Sequence, residues 1–297
     1  MSQNNKQIKT RIKSVKNTKK ITKSMQLISA VKMQRTVKLL TKSKEYSNLA
    51  DRFIEKIYIA EDESHQLLKF GDSDKELLVV ITSNRGLCGS YNYNILKKLK
   101  EYIADKNVEN LSAVAIGRKG AYTLKKKNIE VLSVYDKLID NPNYEDARAL
   151  TEELVNIFLT NKYHKVTLFY TKYISGFLNE AVFRTLIPLN FEEIDSVQKE
   201  REENSVEFEY EPDRGEILNY LLPKLIEIIF YQSILESAGS ENSSRMIAMK
   251  NATDSADELT KTLTFELNKN RQREITKEVA EIVAGAQGIK LKNQNRS

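Results

Sequence analysis

No glycine or proline interrupts the first seventy residues, and the thirteen charged side chains up to Lys44 are all basic. Apolar residues recur through the stretch at steps of three and four. Ile8, Ile12 and Val15 form one group, Ile21, Met25 and Ile28 a second, and Tyr46, Leu49, Phe53 and Ile57 a third. The spacing predicts a helix over residues 3–60, about 58 residues and roughly 87 Å at the α-helical rise. Propensity alone cannot hold so long a rod in water, so its apolar stripe needs a packing partner. Its opposite, basic faces call for an acidic one.

The other end of the chain supplies the packing partner. Pro212 and Asp213 stand where a helix would begin, followed by Ile217, Leu221, Leu225 and Ile228, then Ala252, Ala256, Leu259 and Leu263, then Ile275, Val279, Ile282 and Ala286. Pro223 is expected to kink this helix or mark its true start and Gly239 to bend it, so the stretch reads as one long helix with interruptions at these points. Because the two stretches lie at opposite ends, an antiparallel coiled coil with a domain inserted between them is the economical arrangement.

Between them the period changes. Leu77–Thr82, Leu111–Ile116, Val131–Val134 and Val166–Tyr170 read as strands, alternating with amphipathic stretches at Tyr93–Lys106, Gly120–Lys127 and Tyr144–Asn161. This pattern predicts a Rossmann-like α/β domain on a mostly parallel sheet covered on both faces. The expected division is residues 1–60 for the first helix, 75–205 for the α/β domain and 213–290 for the last helix. Residues 192–211 carry nine acidic side chains and read as a solvated loop or short edge hairpin.

Chemistry is sparse. The turn Ser83-Asn84-Arg85-Gly86-Leu87-Cys88-Gly89 follows a strand and precedes a helix, but its glycines form neither a Walker loop nor a dinucleotide fingerprint. No cofactor is expected there. His65 and His164 lack the neighbours of a metal site, so no metal is expected either, and no triad or carboxylate pair suggests a catalytic residue. With a single cysteine, Cys88, no intramolecular disulfide can form, which suits a reducing compartment. No apolar run approaches a membrane span. A content of 40% hydrophobic and 30% charged residues without Trp excludes both a disordered chain and an integral membrane protein.

Three motifs, in order, span nearly the whole chain. The first is Ile8-Lys9-Thr10-Arg11-Ile12-Lys13-Ser14-Val15-Lys16-Asn17-Thr18-Lys19-Lys20-Ile21-Thr22-Lys23-Ser24-Met25, and the second Arg85-Gly86-Leu87-Cys88-Gly89-Ser90-Tyr91-Asn92. The third runs from Ser244-Arg245-Met246 through Met249-Lys250-Asn251-Ala252-Thr253-Asp254 and Arg271-Gln272 to Ile275-Thr276-Lys277-Glu278-Val279-Ala280-Glu281-Ile282-Val283-Ala284-Gly285-Ala286. Together they resemble the gamma subunit of F-type rotary ATP synthases. The resemblance implies a non-catalytic rotor shaft that binds no nucleotide. Its terminal helices would turn inside a ring of three alpha and three beta subunits, its α/β domain resting against epsilon and the c ring, at the cytoplasmic face of a bacterial plasma membrane.

Site roles follow from the resemblance alone. Lys23 and Met25, with Arg245 on the opposing helix, resemble the part facing an acidic loop of beta. Arg271, Gln272 and Thr276 resemble the group that hydrogen-bonds a catch loop of beta, followed by Glu278 and Glu281. Phe208, Tyr210 and Glu211 resemble the segment near the c ring and epsilon. Arg273, Glu274 and Gly288 depart from the family pattern, and Lys290–Ser297 extends the tail. Two other readings stay in view: the shaft of a specialised rotary ATPase, and a basic coiled-coil nucleic-acid binder. The second is disfavoured because periodicity runs through the basic segment itself.

Overall fold

The computed structural model describes residues 3–58, 65–189 and 214–294. Helix α1 spans Gln3–Tyr58, and a last helix, α6, spans Arg214–Gln294. Between them come β1 (Glu76–Ile81), α2 (Tyr91–Ile103), β2 (Leu111–Ile116), α3 (Arg118–Lys126), β3 (Glu130–Tyr135), α4 (Lys137–Asp140), α5 (Tyr144–Leu159), β4 (Lys165–Tyr173) and β5 (Asn179–Ile187). The long N- and C-terminal helices pack together with a mixed α/β domain inserted between them. Contacts divide the chain into two compact units, one holding the helix ends up to Leu27 and from Ala248, the other Ile28–Ile247.

In the first unit the two helices run antiparallel. Asn5 Nδ2 donates to Glu274 Oε2 at 2.8 Å, the Lys19 ammonium meets Asp257 at 2.5 Å, and the hydroxyls of Thr22 and Thr253 bond at 2.8 Å, so one numbering rises as the other falls. The seam of α1 here follows Asn5, Ile8, Ile12, Val15, Lys19, Thr22 and Gln26, all buried or half-buried, in strict steps of three and four. On α6 it follows Met249, Thr253, Ala256, Thr260, Leu263, Leu267, Asn270 and Glu274.

This corrects the expected stripe in two places. Ile21 and Ile28 are 61% and 59% exposed, while Thr22 and Ser29 are buried. The seven-residue repeat carries Val15 to Thr22, and Ile21, one residue earlier, sits about 100°, more than a quarter of a turn, off that line. On α6, Ile275, Val279 and Ile282 also face outward. Asn5 already lies opposite Glu274 and α1 begins at Gln3, so almost none of α1 remains to cover them. The expected stripe from Tyr46 to Ile57 lies outside the residues whose side chains are described.

The second unit is built on a five-stranded sheet of order β3-β2-β1-β4-β5. The first four strands are parallel, and β5 closes the edge antiparallel to β4. Central β1 is buried along its entire length, which is why Leu77–Ile81 reads as an unbroken apolar run. Leu77, Val79 and Ile81 pack with α5 and the first half of α6; Leu78 and Val80 pack with α2 and α3. Strand β5 is absent from the sequence expectation because its side chains alternate irregularly between half-buried and exposed. The acidic stretch 192–211 lies outside the described residues.

Helix α6 runs unbroken through Pro223 and Gly239, as the reading of one long helix expects, and Pro223 does not mark its start. Around Pro223 the buried side chains Leu222, Leu225 and Ile226 hold the helix on the sheet, so packing overrides the lost backbone bond. The turn after β2 depends on Gly117, whose φ is +94° and where a Cβ would lie 2.0 Å from the Thr82 carbonyl oxygen.

At the amino end of β1 a single carboxylate ties several elements together. Glu76 is buried and accepts from the hydroxyls of Tyr102 and Thr167, each at 2.5 Å, and from the Lys106 ammonium, with Lys165 at 3.9 Å. Burial pushes its pKa up. Bonds from Lys106, Thr167 and Tyr102, with the charge of Lys165, outweigh that and hold it below the ordinary glutamate value.

Candidate functional site

Among the described residues of the α/β unit, the usual ligand position of such a sheet is occupied. Sheets of this order bind ligands beyond the carboxyl ends of the strands where the order reverses, here β1 and β4. That position is filled by α6: the Thr171 amide donates to Ser237 Oγ at 3.1 Å, and Ser240 Oγ donates to the Thr171 carbonyl at 3.4 Å. The turn after β1 closes on itself. The Ser83 amide donates to Asn92 Oδ1 at 3.0 Å, Ser83 Oγ donates to the Arg85 carbonyl at 2.6 Å, and Asn92 Nδ2 donates to Ser83 Oγ at 2.6 Å and Cys88 Sγ at 3.1 Å. These bonds engage the Ser83 amide and the side chains of Ser83, Asn92 and Cys88 within the turn itself. Among the described residues no group of His, Cys, Asp or Glu is placed to hold a metal ion.

The candidate contact residues lie mostly on open helix surface. Lys23 is exposed and Met25 half-buried on α1, while Arg271, Gln272, Thr276, Glu278 and Glu281 are all exposed on α6. Gln272 and Thr276, one turn apart, lie on one open strip of the α6 surface with Lys269, Arg273, Lys277 and Ala280. Arg271 and Glu278 project on a different face, seven residues apart. Arg273, noted only as a departure from the family pattern, is the arginine on that strip. Glu281 is 3.7 Å from Lys277 in an exposed ion pair.

Arg245 is placed differently. It falls in the second unit, its side chain is 13% exposed, and it donates to buried Glu241 at 2.5 Å. Burial raises the Glu241 pKa, and the Arg245 charge and hydrogen bond oppose that rise. One of the Arg245 guanidinium nitrogens is thus engaged by its own helix. Phe208, Tyr210 and Glu211 lie outside the described residues.

The signal that sequence periodicity missed is apolar exposure. Ile275, Val279 and Ile282 are 54%, 54% and 70% exposed and form one line at steps of four and three. Aliphatic side chains aligned in the open mark a contact surface more strongly than scattered ones do.

A family model described as ATP synthase matches residues 4–289. ATP synthase gamma chains of Trichlorobacter lovleyi and Geobacter metallireducens are 35% and 37% identical over 288 residues, 96% of this chain and 98% of each relative. The chain belongs to the ATP synthase gamma chain family. As a gamma chain it is a non-catalytic rotor shaft that couples rotation to catalysis. The gamma chain of Fusobacterium nucleatum is 36% identical over 289 residues. Solved structures share the fold. A Euglena gracilis mitochondrial ATP synthase structure matches with a TM-score of 0.68 at 17% identity, covering 96% of this chain and 94% of that one. A Tetrahymena thermophila central stalk and c-ring structure gives 0.58 at 24% identity, covering 78% and 99%. The nucleic-acid alternative loses its basis: the partner of α1 is α6 of the same chain.

The polar seam of the gamma chain carries a testable energetic signature. Thr22→Val alone strips the buried Thr253 hydroxyl of its cross-helix partner and is expected to cost about 1 kcal/mol. Thr22→Val with Thr253→Val restores a matched apolar layer and is expected to be close to neutral. Thermal denaturation of the four-member cycle checks this; additive losses would show that the two hydroxyls do not act as a pair.

Proposed function

We propose that α1 and α6 wind as an antiparallel coiled coil that turns within a ring of three alpha and three beta subunits, driven by the c ring. What supports this reading above all is the run of antiparallel cross-helix bonds from Asn5–Glu274 to Thr22–Thr253, in a chain that belongs to the gamma family. In this reading residues 1–60 and 213–290 are the arms of the shaft, and 75–205 is a Rossmann-like domain that meets epsilon and the c ring, with Phe208, Tyr210 and Glu211 at that contact. The complex sits on the cytoplasmic face of a bacterial plasma membrane. No described helix is long and apolar enough to cross it.

Lys23 and Met25 face an acidic loop of beta. Gln272 and Thr276, with Arg271 beside them, engage a second loop of beta, and Glu278 and Glu281 extend that contact. Arg245, on the opposing helix at about the level of Lys23 and Met25, joins the beta contact while one of its nitrogens holds Glu241. A lopsided shaft touches the three beta subunits differently at each angle, so each angle favours a different site state. Coupling is reciprocal: if angle biases nucleotide affinity, occupancy biases angle, and one machine can synthesise or hydrolyse ATP.

The test is Arg271→Ala with Gln272→Ala in the reconstituted complex. Both residues are exposed, so the free chain keeps its melting temperature. Loss of hydrogen bonds that involve a charged group, about 1.5–3 kcal/mol each, is expected to lower proton-driven ATP synthesis at least tenfold. Unchanged synthesis would remove these two residues from the beta contact.

A further inference from the structure

Helices α2 and α3 pack against each other on one face of the sheet, burying Ile95, Leu99, Ala121 and Leu124. Their outer faces carry two matching stripes. On α2, Tyr93, Lys97 and Lys100 follow at steps of four and three; on α3, Lys119, Tyr122 and Lys126 follow at three and four, with Lys125 alongside. Tyr93 and Tyr122 are 68% and 71% exposed. Helix α3 contains no acidic residue, and Lys119, Lys125 and Lys126 form no ion pair among the described residues. On α2 the single counter-charge is Glu101, 3.8 Å from Lys97.

We propose that this face docks on an anionic lipid surface. Complementarity of charge requires an anionic partner, and three features select lipid headgroups over protein or nucleic acid. The unpaired cations are lysines, which are depleted from protein interfaces, whereas forked recognition of nucleic-acid phosphates favours arginine. The one arginine of α3, Arg118, is already held by Asp136 at 2.7 Å. The aromatics are tyrosines, whose apolar ring and polar tip suit the boundary between headgroup and acyl chain. Finally, cation and tyrosine lie together across two adjacent helices, a broad surface suited to a planar partner. The contact does not depend on the rotor reading.

Vesicle flotation with the full chain tests it, using equal parts phosphatidylcholine and phosphatidylglycerol. The chain is expected to float with these vesicles at low salt and not with phosphatidylcholine alone. Lys119→Gln with Lys125→Gln and Lys126→Gln should lower the partition coefficient about fivefold per lysine. The basic helix α1 adds its own attraction, so Lys13→Gln with Lys16→Gln and Lys20→Gln serves as the charge-matched control and should lose much less. Tyr93→Ser with Tyr122→Ser should lower partitioning while leaving every lysine in place. Equal losses from the two lysine triples would mean bulk charge alone and overturn the proposal. So would full retention by the tyrosine pair, or loss of poly-glutamate binding in the α3 triple without loss of flotation.

Discussion

Glu76→Ala is expected to lower the stability of the α/β unit by about 2–3 kcal/mol, the cost of leaving Tyr102 and Thr167 without their acceptor while Lys106 and Lys165 keep partial contact with solvent. The substitution leaves Lys106 and Lys165 facing each other around Tyr102 and strips Thr167 and Tyr102 of their acceptor. Chemical denaturation of the full chain reads the loss directly. The same carboxylate predicts a pH dependence. Its folded pKa lies below the ordinary value of about 4.3, so the unfolded chain binds the proton more tightly. The stabilisation is therefore complete above the unfolded value and is lost as pH falls through the lowered folded one. Glu76→Ala should remove that acid-side slope as well as the stability. A variant with an unchanged slope would show that Glu76 is not the group responsible.

Ile275→Ser with Val279→Ser and Ile282→Ser is expected to leave the free chain as stable as before and to cripple the assembled enzyme. All three side chains are at least half exposed, so folding of the chain gains little from them. In the proposed ring they would be covered. Burying the remaining apolar area of three aliphatic side chains contributes about 3 kcal/mol, on the order of a hundredfold in affinity. ATP synthesis by the reconstituted complex should fall at least tenfold while thermal melting of the isolated chain stays put. A drop in melting temperature would instead mean that these residues pack within the chain.

The two long helices and four parallel strands were legible because their periods are long and local. A repeat sustained over tens of residues admits few alternatives, and a fully apolar run bounded by turns suits a central strand. What escaped has a common cause. Ile21 and Ile28 look like seam residues until one knows that the repeat keeps Thr22 and Ser29 inside, a preference decided by the facing helix. For Thr22 the decision is a hydrogen bond to Thr253, more than two hundred residues away. Pro223 looks like a break because its cost is local, while the packing of Leu222, Leu225 and Ile226 that outweighs it is tertiary. Strand β5 depends on its neighbour β4 for definition. The contact residues Gln272 and Thr276 were named by resemblance, and their sharing one face of α6 follows from their spacing of four. Arg245 was named the same way, and its engagement with Glu241 could be read from spacing: an acid four residues before a base on a helix.

The helix that occupies the end of the sheet at Thr171 has a consequence for how such a machine is informed. The crevice where sheets of this order hold a ligand is taken at Thr171 by α6 of the same chain. In the proposed ring, news of nucleotide bound to the beta subunits would arrive at this unit as torque.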